Sequence, residues 1–368
     1  MDDPRLAHRE AIDLVLAAVA ASEWADNLVL RGSVLLTAWF GAQAREPRDL
    51  DFVVTPVDWR LEDDAVQRML MEIPARAAEL SQAAGSLRIH PVPVDIAAAY
   101  HVWTYRGAPG RSVTLAWERS HGGTGDLRID FAFGEELPAP AIRTPIPRLG
   151  TPGPPPLLSA ASRPLALAWK LLWLAAEGKH AKDLYDAVLL AESCSVPTEL
   201  LEKVLKTGDN EFYLPLYEPG RLIDLYRQAE WTDDWRDLAT DRPELTKSFD
   251  DYVWRLIVAV APSFPPGLTD LYARLANSYA WAIEDLRRDD AAASLEAVEQ
   301  WFRELEPPAV EQFIVLRELL GRNTPPHEIA DIITTMQTRY LPERPYPYFS
   351  SGYGDPHRIA TDLGPYLP

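Results

Sequence analysis

The pattern of apolar and polar positions predicts alternating helices and strands in the first part of the chain. Over the first 25 residues, apolar side chains recur at helical spacing, which predicts an amphipathic helix. A short apolar run at 28–30 comes next, and an uninterrupted apolar stretch after Ser33 suits a buried helix. The β-branched and aromatic residues at 49–54 predict a strand, and residues 60–84 return to helical spacing.

Between residues 87 and 136 the pattern changes to short β-rich segments separated by turn residues. Together with the strand at 49–54, these segments predict a mixed or antiparallel sheet flanked by helices. Beyond residue 165 the periodicity is almost wholly helical. The expected fold class is therefore α+β, followed by an all-helical region.

A proline-rich segment separates these two regions. Nine prolines fall within residues 138–164, a density that predicts a linker or an extended connection on the surface. We therefore expect an α+β domain over 1–137, a linker over 138–164, a helical domain over 165–340 and a Pro/Tyr-rich tail over 341–368.

Composition narrows the class of protein. The chain has 55 acidic residues against 36 Lys and Arg, a net charge of −19, which argues against non-specific coating of nucleic acid. A single cysteine, Cys194, excludes a disulfide framework. The longest apolar stretches, 14–21 and 165–176, are too short to span a membrane, and the charged N-terminus does not match a secretory signal. We expect a cytoplasmic protein with no membrane partner.

Two short motifs carry the candidate chemistry. If 49–54 is a strand, Asp49 and Asp51 lie on the same face, where two carboxylates repel each other unless a cation such as Mg²⁺ compensates them. Gly32 and Ser33, between a strand and a helix, offer backbone N–H groups and a hydroxyl to a phosphate. Either motif alone is a common structural accident, but their order and spacing favour metal-assisted phosphoryl chemistry.

A third carboxylate is needed if two metal ions are to be held. Asp130 lies in the regularly alternating segment 127–133, on the face opposite Ile129 and Phe131. Asp95 competes for the same role. We prefer Asp130, because its segment has the clearer strand pattern.

These residues resemble the DNA polymerase β-like nucleotidyltransferases and, more narrowly, the AbiEii/AbiGii-type toxins of bacterial toxin–antitoxin systems. The resemblance extends over residues 28–190, about half of the chain. It rests on four segments: LRGSVLLTAW, REPRDLDF, LRIDFAFGEE and LALAWKLLWLAAEGKHAKDLYDAVLL. One departure is Arg31, which stands where the family often has a second glycine.

The last segment adds a lysine and two carboxylates to the candidate site. Lys170 sits among apolar residues, so it either extends to solvent or faces an anion, and the resemblance favours an anionic nucleotide. Asp183 and Asp186 are three residues apart on one helical face, and the resemblance implies a functional role for Asp183. Ion pairs with nearby lysines, or capping of a helix by Asp183, are the structural alternatives.

The resemblance implies an enzyme that transfers NMP from an NTP to an acceptor hydroxyl and releases pyrophosphate. Asp49, Asp51 and Asp130 would hold two Mg²⁺ ions, while Gly32, Ser33 and Lys170 would bind the nucleotide. It further implies the 3′ end of tRNA as acceptor, a cognate antitoxin as partner, and a role in growth arrest or phage defence. A small-molecule or protein acceptor is the first alternative, and a non-catalytic nucleotide-binding module is the second.

Overall fold

The chain divides into two compact units, Met1–Ala166 and Leu167–Pro368, called the first and second unit below. The computed structural model describes residues 4–90, 100–105, 108–119, 122–175, 181–206, 235, 237–240, 242, 245, 249–264, 267–288, 295–305, 307–340 and 354–368. The finer domain boundaries expected from the sequence stay a prediction.

The first unit is built on a mixed sheet, as the sequence predicts. Its strands are β1 (Leu28–Arg31), β2 (Asp49–Val54), β3 (Leu87–Ile89), β4 (Tyr100–Tyr105), β5 (Ala108–Arg119), β6 (Thr124–Ala132), β7 (Ile142–Pro145) and β8 (Leu157–Ala160). The strand order is β3-β5-β6-β2-β1-β8-β7, and β4 also pairs with β5. The pairs β2–β6 and β1–β8 are parallel, whereas the other pairs are antiparallel.

Among the described residues of the first unit, the helices α1 (Pro4–Ala20), α2 (Ser33–Phe40) and α3 (Asp64–Ala84) accompany this sheet. Helices α1 and α3 contact each other, and both contact β3. The apolar positions that predicted α1 are buried at Ile12, Val15, Leu16 and Val19. Burial of this apolar face, more than helix propensity, stabilises such helices in a folded domain.

The proline-rich segment, predicted to be a linker or an extended connection on the surface, contributes two strands to the sheet. Both β7 and β8 lie within residues 138–164. Strand β7 is at the edge of the sheet, and Pro145 is its last residue, where a missing N–H is tolerated. The buried Asp13 carboxylate accepts the backbone N–H groups of residues 149–151 at 2.8–2.9 Å, which anchors the segment to α1.

The described part of the second unit is helical, in agreement with the sequence. Its helices are α4 (Arg163–Ala175, which begins in the first unit), α5 (Ala181–Ser193), α6 (Thr198–Lys206), α7 (Phe249–Val260), α8 (Thr269–Ser278), α9 (Ala280–Arg288), α10 (Leu295–Leu305), α11 (Ala309–Leu320), α12 (Pro326–Tyr340) and α13 (Pro356–Leu363). Helix α11 is buried along most of its length and contacts α8, α9, α12 and α13.

The predicted C-terminal tail includes the helix α13, which the proline-rich composition concealed. Ile359 and Leu363 are buried, and Asp362 accepts a hydrogen bond from the Trp254 indole at 2.9 Å. Asp355 caps the helix by accepting the N–H groups of the first turn. Within the described residues, no helix is both long and apolar enough to cross a membrane.

Candidate active site

The turn between β1 and α2 brings the glycine motif against the second carboxylate. Gly32 has φ 81° and ψ −157°, a conformation that essentially only glycine adopts. A Cβ atom at this position would lie 2.3 Å from Oδ2 of Asp51. Because Gly32 has no side chain, the Asp51 carboxylate can occupy the space beside its Cα atom.

Three carboxylates share one face of two neighbouring parallel strands. Asp49 and Asp51 alternate along β2 with Leu50 and Phe52, which are buried on the opposite face. The register between β2 and β6 places Asp51 directly beside Asp130. The structure thus brings together the three acidic residues that the sequence singled out, whereas Asp95, the alternative third carboxylate, lies outside the described residues.

Ser112 lies beside these carboxylates and was not identified from the sequence. Strand β5 runs antiparallel to β6 and places Ser112 opposite Asp130, whose Oδ1 accepts a hydrogen bond from the serine hydroxyl. Burial raises the pKa of the Asp130 carboxyl, although Ser112 and Arg128 act in the opposite direction by stabilising the carboxylate. Only strand register could have revealed Ser112, because alternation within a segment predicts a face but not a neighbour.

Arg128 is the second residue that sequence reasoning missed. Its guanidinium lies 2.8 Å from Oδ2 of Asp49 through Nη2 and 3.1 Å from Oδ2 of Asp130 through Nε. The sequence could have identified Arg128, because a residue two positions before Asp130 on a strand lies on the same face of the sheet as Asp130. Arg128 partly compensates the negative charge that gathers on this face.

A second arginine stands beside the glycine motif. Arg31, at the end of β1, is the register partner of Asp51. Its Nη1 donates to both carboxylate oxygens of Glu135, at 2.7 and 2.8 Å, and both side chains are largely buried. This ion pair connects the β1–α2 turn to the segment that follows β6, and so holds the turn in place next to the acidic strands.

The chemistry of these donors suits a divalent cation and a phosphate. Within the described residues, no group of three or more His, Cys, Asp or Glu side chains is arranged to hold a metal ion. The three carboxylates nevertheless supply the hard oxygen ligands that Mg²⁺ prefers. Ser33 is almost fully buried, and its Oγ finds no hydrogen-bond partner in the described part of the chain, so a ligand that reached this hydroxyl would supply the partner that it lacks.

A second cluster, in the second unit, contains Lys170 and the two aspartates of α5. Lys170 is 4% exposed, and its Nζ lies 2.7 Å from Oδ1 of Asp183 and 2.8 Å from Oδ2 of Asp186. The same ammonium group lies 4.9 Å from the centre of the Trp173 ring. The apolar surroundings of Lys170 therefore mark a buried ion pair network, in which the contacting anions are the protein's own carboxylates.

Comparison with known families identifies the family to which the chain belongs. A profile described as "Nucleotidyl transferase AbiEii toxin, Type IV TA system" matches residues 14–255, about two thirds of the chain. The chain belongs to the AbiEii family. The match includes every candidate site residue, from Gly32 to Asp186. A search among curated proteins finds no match.

Membership of the AbiEii family has direct functional consequences. It assigns nucleotidyltransferase chemistry in general, with an NTP as substrate, and a place as toxin in a type IV toxin–antitoxin system, which implies a cognate antitoxin. The family resemblance identified from the sequence is thereby confirmed. Helices α8 to α13 lie beyond the matched residues.

Proposed function

We propose that this AbiEii protein is a Mg²⁺-dependent nucleotidyltransferase with a polymerase β-like first unit, which transfers NMP from an NTP to the 3′-terminal hydroxyl of tRNA. One observation carries the proposal: the Asp51 carboxylate fills the space beside the Cα of Gly32, at the start of α2. A phosphate bound at this turn would lie next to the acidic strands. Carboxylates and a phosphate-binding turn in contact are what metal-assisted phosphoryl transfer requires.

In this proposal the residues of the first unit have distinct roles. Asp49, Asp51 and Asp130 would hold the two Mg²⁺ ions, and the bound ions would supply positive charge to offset that of the transferred phosphoryl group and the leaving pyrophosphate. Asp130 also accepts the proton of the attacking hydroxyl, while the hydrogen bond from Ser112 holds its carboxylate in place. The backbone of Gly32 and the buried hydroxyl of Ser33 bind the β and γ phosphates.

In this proposal, Lys170 binds the nucleotide only after one of its present ion pairs with Asp183 and Asp186 is broken. Lys170, Asp183 and Asp186 together carry a net charge of −1, so the ammonium group is already compensated within the second unit. To neutralise a triphosphate, Lys170 has to exchange at least one carboxylate for a phosphate oxygen. Asp183 then acts as a positioning residue that holds the lysine until the nucleotide binds.

Two classes of acceptor hydroxyl are considered: the 3′ end of tRNA and a small cationic molecule. A toxin that modifies the 3′ end of tRNA would block aminoacylation and would thereby arrest growth. The net charge of −19 favours a different candidate, a small cationic molecule, because an acidic surface attracts cations and repels RNA. The decisive experiment therefore offers both kinds of acceptor.

We suggest incubating the purified full-length chain with Mg²⁺ and each α-³²P-labelled NTP in turn, in parallel reactions that contain either total bacterial RNA or an aminoglycoside. Label in a tRNA-sized band that depends on Mg²⁺ and is lost in Asp49→Asn supports the proposal. Asp126→Asn is the matched control, because Asp126 lies on the same face of β6 but is exposed to solvent. Label in a small aminoglycoside acceptor but not in RNA would replace tRNA by a small molecule, and NTP binding without turnover on any acceptor would contradict catalysis.

A further inference from the structure

The guanidinium group of Arg128 lies on the same face of the sheet as the three aspartates and contacts both Asp49 and Asp130. Arg128 lies two residues before Asp130 on β6 and is the register partner of Asp49 on β2. Its Nη2 and Nε atoms are 2.8 Å and 3.1 Å from carboxylate oxygens of Asp49 and Asp130, respectively. One side chain therefore contacts two of the three residues to which the proposed function assigns the metal.

The electrostatics of the face explain why an arginine is bound there. Three carboxylates on adjacent positions of two strands repel one another, and Arg128 reduces their formal charge from −3 to −2. Burial lowers the pKa of the Arg128 guanidinium, but attraction to Asp130, Asp49 and Asp51 outweighs burial and leaves the pKa above its ordinary value. All three carboxylates thus act on this one cation.

The same guanidinium can leave without opening the core. The Arg128 side chain is 55% exposed, whereas those of Asp49 and Asp130 are 24% and 15% exposed. Ion pairs with one exposed partner contribute little net free energy, because water competes for the charge and a long side chain loses freedom. A divalent cation, with twice the charge and no tether, can take its place while Arg128 turns towards solvent.

We propose that Arg128 is a built-in counter-cation that competes with the divalent metal for Asp49 and Asp130 and thereby limits metal binding by the nucleotide-free protein. This inference rests on the proposed function, since it requires the carboxylates to be metal ligands. Displacement leaves an exposed guanidinium near Asp49 and Asp130, and the polyphosphate of a metal-bound nucleotide offers it a new anionic partner. Metal and nucleotide therefore bind together more favourably than metal alone.

The test measures Mn²⁺ binding to the full-length chain without nucleotide, from the electron paramagnetic resonance signal of the free ion. Arg128→Gln removes the competing charge and keeps a polar side chain of similar shape, while Arg128→Lys keeps the charge. Arg76→Gln is the matched control, because Arg76 is 52% exposed and pairs with Glu79 at 2.9 Å elsewhere in the first unit. Thermal unfolding of each variant establishes that it is folded.

We expect Arg128→Gln to bind Mn²⁺ about tenfold more tightly than the wild-type chain, with Arg128→Lys much closer to wild type and Arg76→Gln unchanged. Equal or weaker Mn²⁺ binding by a folded Arg128→Gln would overturn the proposal and make Arg128 a residue that orients the carboxylates. If Arg76→Gln tightens binding as much, general charge explains the effect and the proposal also fails. If neither the wild-type chain nor Arg128→Gln binds Mn²⁺, the metal-dependent function itself is contradicted.

Discussion

Replacement of Gly32 by alanine tests whether the contact between the β1–α2 turn and Asp51 is the basis of activity. The added Cβ would lie 2.3 Å from Oδ2 of Asp51, whereas ordinary contacts begin at 3.4 Å. The carboxylate must therefore move by about 1 Å, a displacement that costs on the order of 100-fold in rate at a reacting centre. The backbone conformation of Gly32 adds about 1–3 kcal/mol of strain in an alanine variant.

The assay compares Gly32→Ala with Gly85→Ala in labelled NMP transfer and in thermal unfolding. Gly85 has φ 75° at the end of α3, and no atom lies within 4 Å of a Cβ built there, so this variant strains the backbone without touching the site. We expect both variants to lose stability, by about 1 kcal/mol for Gly85→Ala. Only Gly32→Ala should lose activity by roughly 100-fold.

Two results would refute this reasoning. If folded Gly32→Ala retains activity within a few-fold of the wild-type chain, the Asp51 carboxylate does not need its present position. If Gly85→Ala loses as much activity as Gly32→Ala, the loss follows from reduced stability rather than from the site. Activity is therefore measured well below the unfolding temperature of the weaker variant.

Three further predictions concern buried polar groups. Ser33→Ala should leave the unfolding free energy unchanged or slightly higher, because the buried hydroxyl has no partner among the described residues. The same variant should weaken NTP binding by roughly 10–100-fold. Unchanged NTP affinity in a binding titration would show that Ser33 is not part of the site. Lys170→Met should lower the unfolding free energy measured in urea by about 3–5 kcal/mol, because it leaves two carboxylates buried without their cation. Lys182 is exposed, so Lys182→Met should change the unfolding free energy by less than about 0.5 kcal/mol. A Lys170→Met variant that loses activity but keeps wild-type stability would show that the lysine has a functional role only. Burial and a hydrogen bond to Glu318 raise the pKa of Tyr272 to about 12. Between pH 10 and pH 12 the folded protein therefore keeps the phenolic proton, whereas the unfolded chain releases it. The unfolding free energy should fall over this range by on the order of 2 kcal/mol. Tyr272→Phe should remove this part of the pH dependence, and an unaltered slope in that variant would contradict the assignment.

The predicted fold agrees with the structure where a single periodic pattern covers an element. Helix α1 and strand β2 follow from alternation, because one side of each element is buried and the other is not. The proline-rich segment 138–164 could not be predicted in this way. Its strands are short and lie at the end of the strand order, and their pairing depends on β1 and on the anchor at Asp13, both distant in the sequence.

The sequence by itself determined the family, the α+β class and the chemical types at the candidate site: two aspartates on one face, a third on another strand, and a Gly-Ser turn. Tertiary structure alone decided which of these groups touch. Strand register placed Asp130 beside Asp51, Ser112 beside Asp130 and Arg128 between two carboxylates, and helix packing gave Lys170 its partners. The physical reason is that periodicity reports the face on which a side chain lies, whereas a contact depends on the pairing of elements far apart in the chain.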